Sequence, residues 1–260
     1  MGDPLKNPPV YFTVAQVRFN PILKLADFLP AIQEGFRQAR FSDFVKHAGV
    51  GIKINVQDGR AIPMPQQIER FAFGNAAKTH CFLLDEDSLT YQSTDYGRFE
   101  TFSEQFLTGL ERIHSIVQLD FVERVGLRYL DRVAPLADES LSKYLVPEAL
   151  GLGSRLSGTS VHSFCESLTE HSGMKLLSRT MTRTGPIAFP PDLLSMGLEV
   201  GKRFQAQQGL HAILDNDGFH DGREPYSMDS VRKHLVTIHE VIRKTFRLIA
   251  TEYAFKKWNQ

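Results

Sequence analysis

Between residues 50 and 93 the chain runs through four short segments, VGIKINVQ, IERFAFGN, THCFLLDED and SLTYQS, with turn residues between them. In the first, Ile52, Ile54 and Val56 alternate with Lys53, Asn55 and Gln57. A period of two sends successive side chains to opposite faces, so this is the pattern of a half-buried strand. The two middle segments meet near Gly74-Asn75, which predicts a hairpin. An amphipathic helix follows over Phe99–Val117, with Phe99, Phe102, Phe106, Leu110, Ile113 and Val117 as its apolar stripe. Clustered short strands followed by such a helix predict an α+β fold, a curved antiparallel sheet packed against long amphipathic helices.

The flanking sequence fits the same plan. VYFTVAQVRFN predicts a strand ended by Pro21. LADFLPAIQEGFRQARF predicts a helix capped by Asp27, with Pro30 tolerated in its first turn. In the second half, FVERVGLRYLDRV predicts a strand and ESLSKYLVPEAL a short helical piece. GLGSRLSG predicts a loop, since it lacks the remaining residues of a phosphate-binding glycine motif. VHSFCESLTE, GMKLLSRTMTRTG and HAILDND predict three further strands. Val231, Leu235, Ile238, Ile242, Phe246, Ile249 and Tyr253 predict one long helix from Asp229 to about Phe255, capped by Ser227 or Asp229. The stretch 185–208, with three prolines, shows no period.

FLLDED at 82–87 is similar to AILDND at 212–217, and an amphipathic helix follows each at the same distance. Both halves read as strand, helix, several antiparallel strands, helix. We therefore expect two similar halves, 1–120 and 121–260, forming one compact unit. The element order resembles the TATA-binding-protein-like duplication, in which each half is strand, helix, four strands, helix. The resemblance is one of order and carries no function.

Thirty Lys and Arg balance thirty Asp and Glu. A neutral chain does not coat nucleic acid by bulk electrostatics, although a local basic face is compatible with it. Cys81 and Cys165 stand far apart and in no metal-type spacing, which fits a reducing cytoplasm. We expect no signal peptide, and no apolar run is long enough for a bilayer-spanning helix.

The strand at 121–133 raises the functional question. On a regular strand Val122, Arg124, Gly126, Arg128, Leu130 and Arg132 share one face, with Val125, Leu127, Tyr129 and Val133 on the other. Arg124 and Arg132 then lie about 27 Å apart, too far for one small metabolite but within reach of an acidic protein surface or a nucleic-acid strand. Arg183, with Arg179 on its own strand, and Arg18 are candidates to extend the row. The competing expectation is that each arginine pairs with a carboxylate on a neighbouring strand.

Other chemistry is weaker. Asp85, Asp87, Asp215 and Asp217 are carboxylates that a divalent cation would accept, but a calcium loop counted from Asp215 needs Gly and Glu where His220 and Tyr226 stand. Turn chemistry accounts for both pairs. His234 and His239 are five apart, wrong for ligation from one helix face, and read as surface or interface residues. No cofactor is expected.

Four stretches together are similar to an uncharacterised, sporadically distributed bacterial protein family with an Arg-x-Gly-Leu-Arg-Tyr-x-Asn core. They are NPPVYFTVAQVRFNP at the start, Tyr96 to Phe102, RVGLRYLDRV at 124–133, and His239 to Phe246. Asp131 stands where that family usually has Asn. The resemblance implies a bacterial cytosolic protein and no particular activity.

Three readings follow. The first is a non-enzymatic binding or adaptor module of a bacterial accessory system, presenting Arg124, Arg128 and Arg132, with Arg18 and Arg183, to an acidic partner. The second is an enzyme or nucleotide sensor that holds phosphate with the same arginines. The third is a structural homo-oligomer, such as a homodimer, with Tyr226, Phe255 and Trp258 as interface aromatics. None of the three involves a membrane.

Overall fold

The computed structural model describes residues 5–57, 60–157, 161–190, 192–193, 197–205 and 209–260, with backbone alone over 50–57 and 60–68. The first half supplies strand β1 (Val10–Phe19), helix α1 (Leu25–Gln38), strands β2 (Asp43–Gln57), β3 (Arg60–Gly74), β4 (His80–Asp85) and β5 (Ser88–Ser93), and helix α2 (Phe99–Val117). The second supplies β6 (Phe121–Val133), the four-residue helix α3 (Pro147–Leu150) between two 3₁₀ turns, β7 (His162–His171), β8 (Met174–Thr184), the short α4 (Lys202–Gln205), β9 (Leu210–Pro225), α5 (Met228–Ile249) and α6 (Glu252–Trp258).

All nine strands join one antiparallel sheet in the order β2-β3-β4-β5-β1-β6-β9-β8-β7. The halves meet at its centre, where β1 pairs with β6. They differ in detail. A 14-residue helix follows β1, whereas short turns and α3 follow β6, and three strands rather than four come next. The two similar hexapeptides lie on β4 and β9, which are not equivalent places. β9 borders the central strand of its half, but in the first half that neighbour is β5.

One face is dry and aromatic. Helices α1, α2 and α5 cover it, burying Phe102, Phe106, Leu110 and Ile113 of α2 and Val231, Leu235, Ile238 and Ile242 of α5 against Val17, Leu84, Leu89, Val125 and Leu127. Rings from five elements touch in series: Phe36 stacks on Phe73 at 4.6 Å and meets Phe82 at 4.8 Å, Phe82 stacks on Tyr91 at 4.4 Å, and Tyr91 meets Phe102 at 5.0 Å. Gly109 lets α2 lie directly on Phe82, because a Cβ there would overlap the ring.

Among the described residues, the other face carries no long helix. The described residues between 185 and 205 cross part of it as a strap. Its described apolar residues Phe189, Leu193, Val200 and Phe204 cover Tyr11, Phe12, Leu130 and Ile213. The Tyr11 hydroxyl donates to the Ala188 carbonyl at 2.8 Å and the Thr94 hydroxyl to the Glu199 carbonyl at 2.8 Å.

Some local expectations shift. α1 starts at Leu25, so Asp27 lies inside its first turn, where its charge suits the positive helix end, and Pro30 is the sixth residue. The long C-terminal helix is two helices. Ala250 is extended and bridges to Leu145, and Thr251 then caps α6 by accepting from the Ala254 N–H at 3.2 Å. The Ser227 cap is present. Finally, β4 pairs with β3 only over Phe71–Gly74, while β2 and β3 stay paired for eleven further positions, from His47–Arg70 to Gln57–Arg60. They form a two-stranded ribbon about 35 Å long that projects beyond the sheet. Pro63 and Pro65, which have no N–H, stand in this projecting part of β3.

Candidate functional site

The uncovered part of the second face is a groove of about 610 Å³. Its lining includes Gln16 and Arg18 of β1, Arg70 of β3, Thr90 of β5, Arg124, Gly126 and Arg128 of β6, Asp217 of β9 and Asp192 of the strap. Antiparallel pairing aligns these side chains. Arg128 faces Val14, Gly126 faces Gln16, and Arg124 lies directly opposite Arg18.

The arginine row is not uniform. A register shift between Val122 and Arg124 turns Val122 into the aromatic core, so the arginine face of β6 begins at Arg124. Arg124 is half-buried. Its guanidinium lies 3.8 Å from the Phe219 ring and reaches Asp221 at 3.3 Å and Asp217 at 3.9 Å. Its own arm covers Gly126, where a Cβ would sit 3.8 Å from the Arg124 Nε. Arg128 is only 6% exposed. Its Nε and Nη2 donate to the two oxygens of Asp215 at 2.6 and 2.7 Å, and its Nη1 donates to Asp192 at 2.6 Å. Arg132 is buried under α4, donating from Nη1 to the Phe204 carbonyl at 2.8 Å. The expectation of three outward guanidinium groups therefore holds only for Arg124, and partially. The strap and β9 enclose the other two.

Arg18 is exposed and pairs with Asp87 at 3.1 Å. Arg70, which the sequence reading passed over, holds Asp85 with two donors at 2.8 and 2.9 Å. Arg179 bridges Glu166 at 2.7 Å and Asp215 at 3.4 Å. Arg183 sits farther along β8, opposite His211 and His162, and does not line the groove. The competing expectation, carboxylates on neighbouring strands, thus describes Arg124, Arg128, Arg179, Arg70 and Arg18.

The four aspartates occupy different settings. Asp85 ends β4 and Asp87 lies in the β4–β5 turn, each on a guanidinium. Asp215 is fully buried between Arg128 and Arg179. Burial lifts the Asp217 carboxyl to about 6, against the pull of Arg128 and Arg124. Among the described residues no three His, Cys, Asp or Glu side chains gather as a metal-type cluster, and no described helix is long and apolar enough to cross a membrane.

On the helix-covered face, residues from three of the four resembling stretches meet. The Tyr96 and Tyr129 hydroxyls share a hydrogen bond at 2.8 Å, and the Tyr129 oxygen lies 3.0 Å from His239 Nδ1. The His239 ring stacks on Phe99 at 4.0 Å. Burial, helped by Arg243, pushes His239 down to about 4, so it is neutral, and this half-buried ring packs on Phe99 within the chain, where a surface or interface residue was expected. Nearby Asp131 is buried and its carboxyl rises by desolvation to about 7. His234 is half-buried, 3.0 Å from Glu224 and stacked on His220 at 4.0 Å. The aromatics expected at an oligomer interface are used within the chain. Tyr226 stacks on His114 at 4.1 Å, and Phe255 and Trp258 close on Phe246.

Compared with known proteins, the sequence matches no family model, and no curated protein matches it.

Proposed function

We propose that the chain is a non-enzymatic binding or adaptor module of a bacterial accessory system, which holds an acidic protein partner in the groove on the uncovered sheet face. One observation carries this reading: Arg18 and Arg124 stand directly opposite each other on adjacent strands at the open part of the groove. Like charges in that position destabilise a sheet unless anions lie against them. Asp87 and Asp221 do so in the free chain, but Asp87 is only half-buried, Asp221 is exposed, and their contacts exceed 3 Å. A partner's carboxylates are suited to replace or supplement them.

A protein partner fits better than nucleic acid. Aspartates answer the groove's arginines throughout, and the Phe219 ring beside it is covered by the Arg124 guanidinium rather than open to stack a base. Engagement of these carboxylates by guanidinium groups also favours a fixed recognition surface over proton transfer. The same reading treats 1–120 and 121–260 as two copies of one unit. Its support is that β5 and β9 each border the central strand of their half and each lead into a long helix.

The test is titration with a glutamate-rich peptide at rising salt. We expect micromolar-range binding that weakens with salt and is lost in Arg18→Ala/Arg124→Ala, with melting unchanged. Binding indifferent to salt and to both substitutions would sink the proposal. Preference for a single-stranded oligonucleotide over the peptide would replace the partner class.

A further inference from the structure

Arg128 has two carboxylate partners of unequal standing. Asp215 belongs to β9, is fully buried, and grips the Nε edge with two bonds. Asp192 belongs to the strap, its side chain is 58% exposed, and it covers the outer edge of the same guanidinium. Asp215 and Glu166 together already balance the two positive charges of Arg128 and Arg179. The second carboxylate is therefore an additional anion held on a surface that opens into the groove, where Asp192 and Arg128 both line the wall beside Gly126 and Arg124. Its contacts, Oδ2 at 2.6 Å from Nη1 and Oδ1 at 3.3 Å from Nη2, are those of an end-on carboxylate on a guanidinium. Hydrogen bonding to Arg128 keeps the Asp192 carboxyl below its ordinary range.

We propose that the outer edge of Arg128 is a carboxylate-binding subsite, that Asp192 occupies it in the free chain, and that a Glu or Asp side chain of the bound partner takes it over. This rests on the groove being the docking surface. The partner would then present at least two acidic side chains, one for Arg128 and one for the Arg18–Arg124 pair. The strap would act as a competitor, because a ligand meets a free subsite only in the fraction of molecules in which Asp192 has let go.

The experiment compares the intact chain with Asp192→Asn and Asp192→Ser, titrating a short oligoglutamate peptide at low salt, with inorganic phosphate and a single-stranded oligonucleotide as competitors. Melting curves verify that both variants fold. Removing the competing charge should tighten peptide binding by roughly threefold to tenfold. In the intact chain, the peptide should increase amide exchange in the strap at Phe189 and Leu193. Equal or weaker binding by both variants, while the intact chain still binds through Arg18 and Arg124, overturns the subsite and leaves the docking groove standing. No binding by any of the three overturns both. Displacement of the peptide by phosphate at equal concentration overturns carboxylate selectivity, and with it the subsite as stated.

Discussion

β6 serves two environments with one backbone. On one side Val125, Leu127 and Tyr129 lie under α2 and α5 in an aromatic core. On the other, Arg124, Arg128 and Arg132 meet aspartates, a carbonyl and a groove. The first side is held by area removed from water, which is non-directional and tolerant of small shifts. The second is held by matched charges at low dielectric, where removing one partner costs far more than the pair contributes. The two faces should therefore respond differently to the same kind of change.

The largest effects separate them. Phe106→Ala should lower unfolding free energy by about 3–5 kcal/mol, because the ring is fully buried. Asp215→Ala should cost a similar amount, about 3–5 kcal/mol, by leaving Arg128 and Arg179 without their shared carboxylate. The contrast is in rescue. Adding Arg128→Met to Asp215→Leu should return stability to within about 1 kcal/mol of the parent, as read by urea denaturation. No second change restores a missing Phe106 ring so simply. If the double variant is as unstable as Asp215→Ala, the charged face has a role in folding beyond pairing.

A smaller effect concerns Asp131, a titrating group on the core side. Its folded carboxyl titrates near 7, above the ordinary 3.8, so the folded state retains a proton that the unfolded state loses. Stability therefore falls as pH rises from about 4 to about 7 and is flat above. Asp131→Asn should remove that loss, gaining roughly 1–3 kcal/mol above pH 7 and little at pH 4. Equal gains at both pH values would mean that the carboxyl does not titrate in this window. The smallest effect is on the rim: Arg18→Ala should change stability by less than about 1 kcal/mol, since the pair with Asp87 is exposed. Peptide binding is where its loss should be felt.

Periodicity made the dry face legible. α2 and β6 have the bounds their patterns predict, and Phe102, Phe106, Leu110 and Ile113 are buried as a stripe. Register and strand order made the charged face opaque. That Asp215 answers Arg128 follows from β9 lying next to β6, which no local pattern encodes. One bulged position sent Val122 to the other side, and the strap that supplies Asp192 has no period to read. The break at Ala250 was hidden for a related reason, since Leu145, about a hundred residues away, draws that residue out of the helix. The convergence of Tyr96, Tyr129 and His239 had one advance signal: all three lie in stretches singled out in the sequence, Tyr96 to Phe102, RVGLRYLDRV and His239 to Phe246.

The β2–β3 ribbon has a mechanical consequence. Its first position beyond the sheet is Arg70, the same residue that grips Asp85 in the groove wall. The foot of the lever and the wall of the cleft are thus one side chain. A body that seized the far tip would pull on the cleft from some 35 Å away, and a guest seated in the cleft would in turn stiffen the lever at its root.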